Sequence, residues 1–206
     1  MIIKDMPKLE SPFIRKKISN KISVVTPEVA PGYEWVFEDN DVLCTEKLDG
    51  TNVSIVIENG KITRVFNRTT EVPFFGKPSF IIRGLLNSFE RGYCDGLPDG
   101  QHFGELIGPK VQGNPYKLDD HIWIPFETYV RKHLVYQSWH NYPKTFESIS
   151  EWFRAPLFEG GIFSLFARQK GILMKPEGVV FHNLKTGQMA KLRLDMFDWY
   201  EGKRHR

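Results

Sequence analysis

The stretch "NVSIVIENGKITRVFN", residues 52–67, alternates apolar and polar side chains on either side of an Asn-Gly pair. Asn-Gly accepts the positive φ angles that a two-residue hairpin turn demands, so Asn59-Gly60 predicts a tight turn pairing Glu58 with Lys61. Strict alternation then places Val53, Ile55, Ile57, Ile62 and Phe66 on one buried face. This hairpin commits the chain to antiparallel sheet.

Working outward, β-branched and aromatic runs predict further strands at 102–107, 122–130, 177–183 and 188–194. "SFIIRGLLNSFERG" (79–92) instead carries Phe80, Ile81, Leu85, Leu86 and Phe89 at helical spacing. "TFESISEWFR" (145–154) does the same with Phe146, Ile149, Trp152 and Phe153, and a third helix is expected near 161–169. Residues 28–35 and 93–100 are turn-rich loops. The fold class is α+β, with mostly antiparallel sheets flanked by helices.

With 206 residues and no repeat or low-complexity tract, the chain suits one domain with a substantial core. No apolar run approaches the roughly 20 residues that span a bilayer, and "MIIKDMPKLE" lacks the apolar centre of a signal peptide. Two cysteines, Cys44 and Cys94, make neither a disulfide framework nor a zinc site, which favours reduced thiols and a cytoplasmic home. His102, His121, His133, His140, His182 and His205 show no metal-ligand spacing. A net charge of +3 permits a polyanionic partner without demanding one. The dense basic clusters are "RKKISNK" (15–21) and "GKRHR" (202–206), either phosphate-holding segments or solvated ends.

The chemistry is carried by charges stranded in apolar strands. Lys47 sits in "CTEKLDGTNVSI", Glu105 in "FGELIG", Glu177 in "PEGVVF", and Lys191 and Arg193 in "AKLRL". Such charges are costly unless paired, metal-bound or turned toward a ligand.

In order, "EKLDGTN", "FNRT", "FGELIG", "IPFETY", "EGVVF" and "KLR" resemble the successive motifs of the covalent nucleotidyltransferases, the superfamily of ATP-dependent RNA and DNA ligases and mRNA capping enzymes. "EKLDGTN" with "FGELIG" is most similar to the RNA-ligase branch. The motifs run from residue 46 to 193. The resemblance implies a single adenylyltransferase domain over 1–206, with 1–45 as an N-terminal segment packed on it and the nucleotide pocket between the sheets. It implies that Lys47 attacks the α-phosphate of ATP, forming lysyl-AMP and releasing pyrophosphate. An amine attacks only when deprotonated, so Mg²⁺ (or Mn²⁺), Lys191 and Arg193 are expected to supply a positive field around it.

By the same resemblance Glu46, Asp49, Gly50, Arg68, Glu105, Phe126, Glu177 and Lys191 bind the nucleotide. Gly50 lets the backbone pass close to it, Arg68 contacts ribose or nucleic-acid phosphate, Glu105 takes the ribose, and Phe126 stacks on the purine unless it is simply core. Glu177, with Glu105, holds the metal; Lys191 and Arg193 neutralise the phosphates of the transition state; Asn52 and Arg68 contact RNA. The chain departs from the family where Lys-x-Lys reads Lys191-Leu192-Arg193, a planar fork replacing a point ammonium.

Only thirteen residues follow Arg193, so no OB-fold or other C-terminal domain is expected. The implied function is an ATP-dependent RNA ligase joining a 3′-hydroxyl to a 5′-phosphate, with RNA ends and ATP as partners and room for a protein that adds nucleic-acid grip. The alternatives are a DNA-end ligase or partner-dependent adenylyltransferase, and a catalytically silent nucleotide- or RNA-binding module.

The last hairpin adds a parity condition. Pairing 177 with 193 and 179 with 191 puts Glu177 and Lys191 on one face, whereas a plain four-residue loop puts them on opposite faces.

Overall fold

The computed structural model describes residues 2–20, 22–75 and 79–204. His205, Lys21 and the last residue of the basic tail, Arg206, lie outside them. In chain order the described strands are β1 (Phe13–Lys17), β2 (Ser23–Val29), β3 (Val42–Lys47), β4 (Thr51–Glu58), β5 (Lys61–Asn67), β6 (Thr70–Glu71), β7 (Gly100–Ile107), β8 (Ile122–Pro125), β9 (Gly178–Asn183) and β10 (Met189–Arg193). The helices are α1 (Trp35–Glu38), α2 (Phe80–Glu90), α3 (Arg131–His133), α4 (Phe146–Arg154) and α5 (Leu165–Gln169). Every strand pairing is antiparallel, so the chain has the α+β architecture expected of it.

Two compact units emerge. One comprises Leu48–His133 with the first residues up to Lys8, and the other Leu9–Lys47 with Leu134–Arg206.

The first unit is a five-stranded sheet in the order β6-β5-β4-β7-β8. The Asn59-Gly60 turn forms as expected, both residues at positive φ, and pairs Glu58 with Lys61. Alternation then breaks. The register steps from Ile57↔Ile62 to Val56↔Arg64, leaving Thr63 as an extra residue whose hydroxyl donates to the Val56 carbonyl. A bulge of one residue exchanges the faces beyond it. Val65, not Phe66, therefore shares a face with Val53, Ile55 and Ile57, and Phe66, also buried, lies on the other face beneath the Arg64 guanidinium.

Helix α2 is capped by Ser79, whose side chain accepts from the Ile81 N–H. Its buried stripe is Ile81, Gly84, Leu85 and Ser88, while Phe80, Leu86 and Phe89 stay exposed, contrary to the apolar pattern. The small residues win because backbone approach decides the face: a Cβ on Gly84 would meet Leu106 Cδ1 at 2.4 Å. Ser88 is occupied too, its Oγ accepting from the Trp123 N–H at 2.7 Å. The expected strand over 122–130 ends at Pro125, which has no N–H for the ladder, and Phe126–Val130 coils into a π-helical turn.

The second unit holds the β1-β2 hairpin and the sheet β10-β9-β3. Irregular chain extends that sheet at both edges: Leu134 to Tyr136 bonds β3 through Glu46 N–H to Leu134 C=O and Tyr136 N–H to Cys44 C=O, and Glu10 C=O accepts from Lys191 N–H at 2.9 Å. Its core packs Val42, Cys44, Val179, Phe181, Ala190 and Leu192 against Ile149, Trp152 and Phe153 of α4. Helix α4 begins where Thr145 accepts from the Ser148 N–H, and it buries the stripe its spacing predicts.

Candidate active site

Period-two geometry sorts the second unit's sheet into two faces. The core face carries Val42, Cys44 and Glu46 of β3 against Val179, Phe181, Ala190 and Leu192. The opposite face carries three cross-strand rows: Leu43, His182 and Met189; then Thr45, Val180 and Lys191; then Lys47, Gly178 and Arg193. Lys47 and Arg193 thus flank a glycine. Gly178 is required there, because a Cβ would stand 2.1 Å from the Leu192 carbonyl oxygen and 2.6 Å from Arg193 Cα.

Glu177 completes this row by an unexpected route. The β9–β10 loop is the plain four-residue kind, with Asn183 N–H bonded to Gln188 C=O, and Arg193 opposes Gly178. The pairing of 177 with 193 is therefore corrected by one residue. The parity penalty nonetheless does not fall on the site, because Glu177 sits at a bend just before β9. Its carbonyl still accepts from Leu194 N–H, while its carboxylate turns to the cations. Oε2 lies 2.5 Å from Lys47 Nζ and Oε1 lies 3.6 Å from an Arg193 terminal nitrogen.

Arg193 pairs with two carboxylates. Besides Glu177 it pairs through Nε with Asp195 Oδ1 at 3.0 Å. Asp195 is buried and was not foreseen, and the only signal for it in the sequence is an acid two residues beyond the arginine in an apolar context. A lysine has one charged nitrogen and cannot bridge both carboxylates in this way. Lys191, one row back, has its pKa lowered first by burial and then by repulsion from Arg193 and Lys47, against weaker attraction to Glu10 and Glu177.

Glu46 requires a correction. As the neighbour of Lys47 it points to the core face, where it is 1% exposed, and accepts from Ser164 Oγ at 2.5 Å and from Phe166 N–H at 2.8 Å at the start of α5. Burial, partly offset by these bonds, pushes its pKa up to about 7. Its side chain ties β3 to α5 instead of standing beside Lys47.

The first unit carries the remaining residues. Asp49 N–H donates to the buried Tyr116 hydroxyl at 2.9 Å, a partner the sequence did not announce. Gly50 does serve close approach, but to protein: a Cβ would lie 2.4 Å from the Leu106 carbonyl oxygen and 2.7 Å from Glu105 Cγ. Asn52 and Glu105 are direct cross-strand partners and share a face. Asn52 Nδ2 donates to Gly104 C=O at 3.5 Å, and its buried Oδ1 accepts no hydrogen bond from the described residues. Arg68 is exposed at the β5–β6 turn with φ of 55°, and Phe126 is half-buried at the start of the π-helical turn rather than in a strand.

No group of three His, Cys, Asp or Glu side chains among the described residues is placed to hold a metal by itself. Mg²⁺ needs no such cage, since it keeps waters and substrate phosphates and takes one or two carboxylates. Glu177, with both oxygens turned to the charged face, fits that requirement as a single protein ligand.

A strand-borne lysine ringed by a carboxylate, a second lysine and an arginine is the arrangement that the resemblance to the nucleotidyltransferases implied. The RNA ligase family model matches residues 40–193, about three quarters of the chain, and the protein belongs to that family. Among solved structures it is similar to the RNA ligase of Naegleria gruberi. A variant of that ligase with ATP and Mn aligns at 18% identity and TM-score 0.48, covering 90% of this chain and 59% of that one. An apo variant aligns at 19% and 0.47, covering 95% and 58%. A variant with AMP and Mn aligns at 18% and 0.46, covering 90% and 59%. The chain thus spans about three fifths of the length of these structures. No curated protein matches it. No helix among the described residues is long and apolar enough to cross a membrane.

Proposed function

We propose that the protein is an ATP-dependent RNA ligase that works through a lysyl-AMP intermediate on Lys47. The observation that carries this is Lys47 Nζ, held 2.5 Å from Glu177 in a row shared with Arg193. In the first step Nζ attacks the α-phosphorus of ATP, a P–N bond forms, and the bond to the pyrophosphate oxygen breaks. AMP then passes to an RNA 5′-phosphate. A 3′-hydroxyl finally attacks that phosphate, closing the phosphodiester and releasing AMP.

Each residue of the charged face has a part. Glu177 orients the Lys47 amine and, as the ammonium's closest carboxylate, is placed to take its proton. Lys191 and Arg193 offset the charge that builds on the phosphate oxygens. Asp195 holds the Arg193 fork in place. A divalent ion at Glu177, Mg²⁺ or Mn²⁺, would supply further positive charge beside the phosphates. Glu105, Asn52, Arg68 and Phe126 are assigned to nucleoside and RNA by family resemblance. A cytoplasmic location, where ATP and RNA meet, accords with this function.

The test is the intact mass after incubation with ATP and Mg²⁺, or Mn²⁺ in a parallel sample. The parent should gain one AMP, reversed by pyrophosphate, and Lys47→Ala should gain none. A parent that never gains mass, even after pyrophosphate treatment to strip AMP carried through purification, would overturn the proposal. Efficient sealing of all-DNA nicks in preference to RNA would transfer it to DNA ends.

A further inference from the structure

The β1-β2 hairpin presents a charged surface that the nucleotide chemistry does not use. Arg15, Lys16 and Lys17 occupy consecutive positions of β1, and all three are exposed. Consecutive strand residues point to opposite faces, so Arg15 and Lys17 lie on one side of the ribbon and Lys16 on the other. Among the described residues none of the three forms an ion pair, whereas Arg64, Arg91, Arg154 and Lys185 each have an acid within 4.0 Å. The only acid in residues 13–29 is Glu28, near the far end of β2. Arg15 does donate to the Ser23 carbonyl at 3.4 Å, but a cluster of exposed cations without acidic partners attracts a polyanion.

The base of the ribbon is fixed, and it is fixed beside the charged face. Ser11 and Phe13 are buried, with the Phe13 ring 4.9 Å from Phe37 and 5.1 Å from Phe146. Farther along the ribbon, Val24 and Val25, opposite Lys16 and Arg15, are buried and hold β2. Immediately before Ser11, Glu10 C=O accepts the N–H of Lys191 on the free edge of β10. Five residues separate Glu10 from Arg15, a reach of at most ~17 Å in extended chain. A strand whose end is held at Lys191 therefore meets these cations within two or three nucleotides.

We propose that the β1-β2 hairpin is an RNA-backbone clamp that grips phosphates of a single-stranded end leading away from the ligation site. This rests on the ligase function proposed above for the direction of the strand, but its binding test does not. The ribbon has no aromatic side chain among its exposed residues, and its exposed apolar residues are Ile14, Ile18 and Val29, so contact is with phosphate and carries no sequence preference.

The experiment is fluorescence anisotropy of a labelled, 5′-phosphorylated single-stranded RNA oligonucleotide against salt from 50 to 300 mM. The parent is compared with an Arg15→Gln, Lys16→Gln, Lys17→Gln triple variant, whose thermal midpoint checks that it is folded. Each phosphate contact on a single strand contributes about 0.7 to the slope of log K on log salt, so the triple change should reduce that slope by about 2. Affinity at 50 mM salt should fall at least tenfold. If the triple variant proves unstable, each single substitution should remove about a third of the slope change. An unchanged slope and affinity would overturn the clamp. The parent's AMP mass gain separately decides the ligase function, so the two failures are distinguishable.

Discussion

At the scale of single residues, the consequential finding is that Arg193 engages two carboxylates, Glu177 and Asp195, from two edges of one guanidinium. The sequence disclosed the charge at this position and its departure from a lysine, but not the reason for it. Asp195 was invisible because its importance is a matter of where the chain goes after β10. Arg193→Lys should lower the rate of lysine adenylylation about tenfold, on the order of 1–2 kcal/mol for one lost ion-pair contact in a largely buried site. Asp195→Asn should cost a similar factor. The double variant should be no slower than the worse single one, because both changes undo the same pairing. Single-turnover AMP transfer measures all three, and additive losses would show that Asp195 acts independently of the fork.

At the scale of elements, small residues decide what touches what. The buried stripe of α2 runs through Gly84 and Ser88 although larger apolar residues were available, and β9 passes between β3 and β10 at Gly178. Apolar periodicity finds helices and strands, but it weighs a glycine as nothing and so misjudges faces set by backbone approach. The bulge at Thr63 escaped for a related reason: one extra residue leaves composition unchanged and swaps Val65 for Phe66. Gly178→Ala puts a methyl within 2.1 Å of the Leu192 carbonyl oxygen and must push β10 away from β9. Its expected cost is ~2–4 kcal/mol of stability, together with at least a hundredfold slower adenylylation, since Lys47 and Arg193 would lose their common row. Urea unfolding and the AMP-transfer rate read the two effects. A stable variant with parental rate would refute this account of the row.

At the scale of the whole molecule, the pH dependence of stability should carry the signature of Glu46. Its folded pKa is raised from 4.5 to about 7, so between these values the native state binds more protons than the unfolded chain. Stability from this group is then fully present below about pH 4.5 and lost as pH rises through 7, amounting to ~3 kcal/mol. Relative to Glu46→Gln, which cannot ionise, the parent should become less stable between pH 5 and pH 8. Denaturation midpoints at both pH values check the difference, and parallel curves would mean that Glu46 titrates normally.

By itself the sequence determined the α+β class, the β4-β5 hairpin with its Asn59-Gly60 turn, the packing face of α4, and the set of charges out of place in apolar strands. Those are local properties, written in turn chemistry, period and the cost of burying charge. Only the tertiary structure decided which of those charges meet. The bend at Glu177 brings its carboxylate to Lys47 and Arg193 despite the strand parity, while the same parity sends Glu46, one residue from Lys47, into the core against Ser164. A side chain's partners depend on register, bends and close backbone contacts among segments distant in sequence, and none of these has a signature within a single stretch of chain.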